Sequence, residues 1–258
     1  MFSGLRLIAA AGAIALTSLA SHAASAQTQQ FGATQRSEIE RIVREYLIAN
    51  PEVLQEAMAE LEKRQASAEL AKHQAAVKQY SDLIFNSPRQ VVVGNAKGDV
   101  TMVEFFDYNC GYCKRAMEDM MALIKADSNL RVVLKEFPVL GPGSVEAAQV
   151  ATAVRMQDKT GAKYLEFHQR LLSGRGQVTK STALVAAKDV GLDVARIEKD
   201  MNSAEAKASI DESFKLAEAL GLNGTPSYVI GSNVVIGAVG LPALKEKINT
   251  ARCGQPTC

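Results

Sequence analysis

Residues 100–106 read Val-Thr-Met-Val-Glu-Phe-Phe, followed by Asp107-Tyr108-Asn109 and then Cys110-Gly111-Tyr112-Cys113. The first run has the length and apolar continuity of a strand buried on both faces. Ala116, Met117, Met120, Met121 and Ile124 then recur at helical spacing, so strand, tight turn and helix follow one another with a cysteine at the helix start. Two cysteines three apart at such a start can close a small disulfide ring, and the first sulfur faces the unpaired amides of the opening turn. Those amides and the helix dipole favour a thiolate, so Cys110 is expected to be a nucleophile of lowered pKa. Cys113, one turn further in, is shielded and would resolve the mixed disulfide that Cys110 forms.

Competing chemistries for the pair exist. Half of a zinc site needs two more soft ligands, for which only Cys253 and Cys258 are candidates, since His22, His73 and His168 are scattered. Copper(I) is soft enough for a two-thiolate site. An inert bridge does not call for a helix start. Redox catalysis is the expectation, with no metal and no organic cofactor.

The surrounding pattern is mixed. Val91-Val92-Val93 precedes turn material, and residues 130–136 supply a further strand closed by Phe137-Pro138 and Gly141-Pro142-Gly143. Between residues 144 and 221 every long pattern is helical, with breaks at Gly161, at 173–176, at Gly191 and at Asn202-Ser203. Four or five helices fit. Strand signals resume at 227–230 and 234–238 around Gly231-Ser232-Asn233, and a last helix is expected over about 241–250. The order predicts an α/β core with a helical insertion.

The amino-terminal part differs. Arg6 precedes a charge-free apolar run at residues 7–20, and Ala24-Ser25-Ala26 places small residues where a signal peptidase cuts. Residues 1–26 are expected to be a signal peptide, with Ser21-His22-Ala23 as a second cleavage site and an uncleaved anchor as the alternative. Export implies an oxidising compartment. Residues 34–87 contain no glycine and have helix composition. Ile39, Ile42, Val43, Tyr46 and Leu47 share one helical face, and Val53, Leu54, Ala57, Met58 and Leu61 share another after a break at Asn50-Pro51. Those stripes must pack on something. The expectation is a helical oligomerisation segment over residues 27–88, with docking onto the following domain, residues 89–258, as the alternative.

With 29 Lys and Arg against 28 Asp and Glu, the formal charge is +1. No global field draws the chain to nucleic acid, and no nucleic-acid partner is expected.

Thr225-Pro226 follows a Gly-Leu-Asn-Gly loop and precedes the 227–230 strand, a place that favours a tight cis turn. A helix-start CxxC with such a proline, a β-hairpin and a helix resembles the thioredoxin-like fold. Residues 90–250 resemble the DsbA family of exported thiol–disulfide oxidoreductases more specifically. Carrying the likeness are Phe105-Phe106-Asp107-Tyr108-Asn109-Cys110-Gly111-Tyr112-Cys113-Lys114, Lys135-Glu136-Phe137-Pro138-Val139-Leu140-Gly141 and Gly224-Thr225-Pro226. The ScsC-like and Com1-like subgroup also carries a helical extension with an Asn-Pro-Glu break like Asn50-Pro51-Glu52.

This resemblance implies a thioredoxin-like fold with an inserted helical domain at about 143–215 and an N-terminal α-helical extension. It makes Cys110 the nucleophile, Cys113 the resolving cysteine, and Pro226 the cis-proline preceded by Thr225. Thr225, Pro226, Gly111 and Tyr112 would meet the substrate, the Thr225 backbone by pairing with an extended strand. Glu104 matches an acidic position beneath the disulfide. A carboxyl in that apolar strand should have a raised pKa and relay a proton to or from Cys113, with a salt bridge to Lys135 as its other reading.

The Gly111-Tyr112 pair departs from the Pro-His pair of strongly oxidising members and resembles that of the disulfide isomerase DsbC. Lys114 and Arg115 bring charge back. The expected function is therefore a periplasmic disulfide isomerase or reductase acting on unfolded or misoxidised secreted proteins. It would be served by a membrane redox partner and assembled as a dimer or trimer. A dithiol oxidase and a copper(I)-binding envelope chaperone are the rivals. Cys253 and Cys258 are expected to form a structural disulfide at the tail. His168 is expected to be a surface or packing residue, and the Met117, Met120 and Met121 cluster to be core.

Overall fold

The computed structural model describes residues 31–258, so the expected signal peptide lies outside the described residues. These residues contain ten helices and five strands. They divide into two compact units, one ending at Ala59 and the other spanning Glu60–Cys258.

Helix α1 (Ala33–Ala49) and helix α2 (Glu52–Gln79) meet at Asn50-Pro51. Pro51 cannot continue α1's hydrogen bonding. Asn50 caps the helix it ends: its backbone N–H and its side-chain amide both donate to the Tyr46 carbonyl, at 2.8 and 2.9 Å. No residue of α1 is buried, and Ile39, Ile42, Val43 and Tyr46 all face solvent in the single chain. Within the larger unit the end of α2 changes character, because Val77 is buried against the sheet. A five-residue helix, α3 (Ser81–Phe85), follows and buries Ile84 in the same cluster. Its one turn is too short to leave a periodic trace in the sequence.

The sheet holds β1 (Val91–Gly94), β2 (Val100–Phe106), β3 (Leu130–Glu136), β4 (Ser227–Ile230) and β5 (Asn233–Ile236) in the order β1-β3-β2-β4-β5. The central β2 and β3 run parallel, with Glu104 beside Leu134 and Phe105 beside Lys135, while β4 lies antiparallel on the other side of β2. Helix α4 (Gly111–Ala126) makes the crossover between β2 and β3, and α10 (Leu241–Cys253) closes the chain beside it. Strand alternation then divides the core. Met102, Phe106, Val132, Tyr228 and Ile230 pack with α4 and α10, while Val103, Phe105, Val133 and Val229 pack with α3 and α9.

Between β3 and β4 lie α5 (Pro142–Gln157), α6 (Ala162–Ser173), α7 (Lys180–Asp189), α8 (Val194–Asp200) and α9 (Ala204–Ala219). Their boundaries fall where the sequence interrupts its helical pattern, and several carry their own caps. Thr179, Asp193 and Ser203 each accept a backbone N–H from three residues on. Gly161 is required by two constraints: its φ is 80°, and a Cβ there would stand 2.6 Å from the Val92 carbonyl oxygen.

Candidate active site

Cys110 is the N-cap of α4, in extended backbone conformation, and its sulfur is buried at the junction of β2 and α4. The Cys113 thiol donates to it most strongly, joined by the Thr225 hydroxyl and the backbone amides of Cys113 and Tyr112. Together they outweigh partial burial and bring the Cys110 pKa down to about 5. Cys113 is fully buried, and its hydrogen bond to Cys110, together with burial, holds its own thiol protonated far above the ordinary range. Both sulfurs are free, as in the dithiol state.

Facing them, Thr225-Pro226 is a cis peptide bond. The Thr225 carbonyl oxygen lies 3.1 Å from the Cys110 sulfur and accepts from its thiol form. The other side of the turn is fixed by the Gly237 N–H, which donates to the Pro226 carbonyl at 2.9 Å. Gly111 and Tyr112 are exposed, and a Cβ on Gly111 would meet nothing within 4 Å. Tyr112 is 59% accessible and lies beneath the Arg115 guanidinium, 4.6 Å from its ring centroid. Lys114 turns away to donate to the Gly174 carbonyl at 2.9 Å. Neither Lys114 nor Arg115 is among the main groups that lower the Cys110 pKa; the Cys113 thiol, then Thr225 and the opening amides of α4, hold the thiolate.

Glu104 is 2% exposed on the α4 side of β2. Burial, with the charges of Asp119 and Cys110, raises its pKa to about 8. Its Oε2 has no hydrogen-bond partner among the described residues. The salt bridge to Lys135 that the sequence also allowed is not formed. Glu104 is level with Leu134, so Lys135 is one residue out of phase and points to the opposite sheet face. There its Nζ donates to the Leu83 carbonyl at 2.8 Å and lies 3.6 Å from Glu212 Oε1.

Three further residues of the site have structural work that spacing did not reveal. Asp107, buried at the end of β2, accepts from the Asn109 N–H (2.7 Å), the Val139 and Leu140 N–H groups (2.8 and 2.9 Å) and the Ser144 hydroxyl (2.7 Å). The only local signal was a polar residue stopping an apolar strand. Asn109 pairs with Val178 as a strand would, accepting its N–H at 2.7 Å and donating to its carbonyl at 3.0 Å. His168 is buried and neutral, its pKa pushed down to about 3 by burial. Its Nδ1 is 3.3 Å from the Tyr108 hydroxyl and its ring packs edge-on to Phe106.

The remaining candidates lie apart from this chemistry. Cys253 and Cys258 are disulfide-bonded across an exposed tail, with Cα atoms 6.3 Å apart. His73 pairs with Glu69 at 2.9 Å on α2. Met117 and Met120 are core residues. Among the described residues no group of three or more His, Cys, Asp and Glu side chains is arranged to hold a metal.

A CxxC opening the helix after a parallel strand, faced by a cis-prolyl bond at the head of the next strand, defines a thiol–disulfide oxidoreductase domain of thioredoxin-like fold. The chain belongs to the family of the DSBA-like thioredoxin domain, which matches residues 101–249. Residues 35–68 match the copper resistance protein ScsC N-terminal domain. A thioredoxin-like oxidoreductase from Silicibacter pomeroyi DSS-3 is 44% identical, with a TM-score of 0.63 over 66% of this chain and 96% of that one. Salmonella enterica Typhimurium BcfH is 26% identical, with a TM-score of 0.73 over 85% of this chain and 96% of that one. Among curated proteins, the Na(+)/H(+) antiporter NhaA 1 of Salinispora arenicola is 27% identical over 168 residues, 64% of this chain. The chain spans about a quarter of that relative's length, 25%. No helix among the described residues is long and apolar enough to cross a membrane.

Proposed function

We propose that this chain is an exported disulfide isomerase or reductase, working in the periplasm on misoxidised secreted proteins. The observation that carries it is the Cys110 sulfur at the head of α4, held as a thiolate at neutral pH, opposite the cis Thr225-Pro226 turn, whose backbone would pair with an extended client strand. Cys110 attacks a client disulfide sulfur, forming a Cys110–client disulfide and releasing a client thiolate. Either that thiolate or another client thiol then attacks and rearranges the bond, or Cys113 does so and leaves the client reduced. In the second route Glu104 takes the Cys113 proton and passes it to the departing client sulfur. Gly111 and Tyr112 form the open rim over which the client chain lies. Export rests on the residue 1–26 pattern, and the Cys253–Cys258 bond suits an oxidising compartment. A membrane protein that keeps the pair reduced completes the cycle.

Equilibration in glutathione buffers, with reactivation of scrambled ribonuclease alongside, tests the direction of electron flow. Reactivation dependent on Cys110 is expected. Faster oxidation of reduced ribonuclease than repair of the scrambled form would make the chain a dithiol oxidase, a reading that the stabilised Cys110 thiolate also favours, because it stabilises the dithiol and makes the disulfide more oxidising. A copper(I) chaperone reading draws on the description of the N-terminal match. Tight stoichiometric copper(I) binding lost in Cys110→Ala, without disulfide activity, would favour it.

We further infer that α1 and the start of α2 assemble two or three copies. Ile39, Ile42, Val43 and Tyr46 form a stripe with Val43 half exposed at 50%, and Leu54 and Met58 are further exposed apolar residues of the same unit. Several active sites around one client raise the effective thiol concentration. Val43→Glu with Leu54→Glu is expected to lower the mass in solution to that of one chain. It should reduce reactivation of scrambled ribonuclease while leaving reduction of a small cystine peptide unchanged.

A further inference from the structure

Directly opposite Glu104 in the antiparallel β2–β4 pair stands Tyr228, two residues past the cis-prolyl bond. Residues so paired project from the same sheet face with their Cβ atoms about 5 Å apart. Here that face meets α4, and Tyr228 shares its core with Cys110, Cys113, Met117 and Met120. Tyr228 is 1% exposed.

We infer that Tyr228 is a positioning residue for proton transfer at Glu104, its hydroxyl donating to the carboxylate that forms when Cys113 is to be deprotonated. This rests on the reading of Glu104 as the proton acceptor of Cys113. Glu104 Oε2 is a buried acceptor without a partner among the described residues, and the strand register sets Tyr228, which carries a hydroxyl donor, on the same sheet face of the neighbouring strand; the two are not hydrogen-bonded in this dithiol state. The other groups facing Glu104 cannot serve. From α4 these are Cys110, Cys113 and the acidic Asp119, and α10 contributes the apolar Leu244 and Ile248. Glu136 shares the face, level with Phe106, but is bonded to Tyr164 and Tyr108, while His168 packs on Phe106 and pairs with Tyr108. Burial, followed by the charges of Glu104, Cys113, Asp119 and Cys110, keeps the Tyr228 phenol protonated and hence a donor.

The timing fits the exchange. While Cys110 is a thiolate, its charge helps to keep Glu104 protonated. Once Cys110 is bonded to a client sulfur that charge is gone, and the carboxyl ionises more readily. The Cys113 proton passes to Glu104, and the Cys113 thiolate attacks the Cys110 sulfur. The Cys110–client bond breaks, the client sulfur leaves with both electrons of that bond, and it receives the proton from Glu104. Cys110 and Cys113 end oxidised and the client sulfur reduced. Tyr228 stabilises the ionised Glu104 at the start of this sequence and itself gives up no proton.

The test is the rate of client release from a Cys110 mixed disulfide with a fluorescent cysteine peptide, measured between pH 5 and 9. Four proteins are compared: wild type, Tyr228→Phe, Glu104→Gln and the double variant. Tyr228→Phe is expected to move the midpoint of the pH profile up by about half a unit or more and to slow release at pH 7 by about three- to tenfold. The double variant should match Glu104→Gln, whose profile lacks the midpoint. A Tyr228→Phe profile with an unmoved midpoint, or slowed equally at every pH, or an effect that persists in the Glu104→Gln background, would reduce Tyr228 to packing. A Glu104→Gln profile identical to wild type would instead overturn the role of Glu104, and the role of Tyr228 with it.

Discussion

Cys110→Ser is expected to abolish disulfide exchange, whereas Cys113→Ser should retain its first half and accumulate mixed disulfides with clients. An alcohol at residue 110 neither ionises near neutral pH nor forms a sulfur–sulfur bond, so no later step has a substrate. With Cys113 replaced, Cys110 still attacks but has no neighbour to displace the client. Non-reducing electrophoresis of the two variants after incubation with a cystine peptide separates the cases. Cys113→Ala, which removes the donor altogether, should in addition raise the pH at which Cys110 is alkylated, because the Cys113 thiol is the largest of the contributions holding its pKa down to about 5. The ionisation has a stability consequence. The Cys110 pKa falls from an ordinary 9.0 to about 5 on folding, so the folded dithiol protein binds fewer protons than the unfolded chain between those values. Its contribution is complete above pH 9, shrinks as pH falls and is gone below pH 5. The disulfide form has no such sulfur to titrate. Calorimetry from pH 7 to 5 should therefore show the dithiol protein losing stability relative to the disulfide form. Parallel behaviour of the two forms would mean that the thiolate is not held.

What the sequence disclosed was mostly local. The 100–106 strand, the cysteine-headed helix and the glycine and serine breaks between α5 and α9 are each written within a dozen residues, and the structure has them there. The helix pair broken at Asn50-Pro51 was equally plain. Long-range facts were less legible. Whether Glu104 meets Lys135 depends on the register between β2 and β3, and only with Glu104 beside Leu134 does it become clear that the two point to opposite faces. The partners of His168 lie 60 residues away at Tyr108 and on the preceding strand at Phe106. Its burial was therefore invisible to a reading of α6 alone. Lys114 and Arg115 were adjacent to the site in sequence, yet the first is drawn to Gly174 and the second stacks on Tyr112. Tyr228 was hidden for a related reason, since within a short strand a tyrosine reads as filler until its cross-strand neighbour is known.

Asp107→Ala is expected to be among the most destabilising single changes in the chain, although Asp107 touches no sulfur. One carboxyl gathers three segments: the turn into α4 through Asn109, the loop after β3 through Val139 and Leu140, and the start of α5 through Ser144. Alanine leaves three amides and a hydroxyl without their acceptor. Each fully buried orphan costs about 1–3 kcal/mol, but Val139 and Leu140 are exposed residues whose amides can recover water, so about 3 kcal/mol in all is expected. For a chain of this size that corresponds to a fall in Tm of about 6–12 °C. Asparagine should do little better, because its NH2 group would face amide donors where a carboxyl oxygen now accepts. Ser144→Ala, which removes one donor and leaves the carboxyl its three amides, should cost only about 1 kcal/mol. The anchor also fixes function, since the Asp107 carbonyl accepts the Cys110 N–H at 3.1 Å and the side chain sets the direction of that carbonyl through Asn109. At a temperature where the variant remains folded, Cys110 should therefore alkylate more slowly at pH 6 than in wild type. An Asp107→Ala protein that melts within a degree or two of wild type and alkylates at the same rate would show that the three segments hold their places without it.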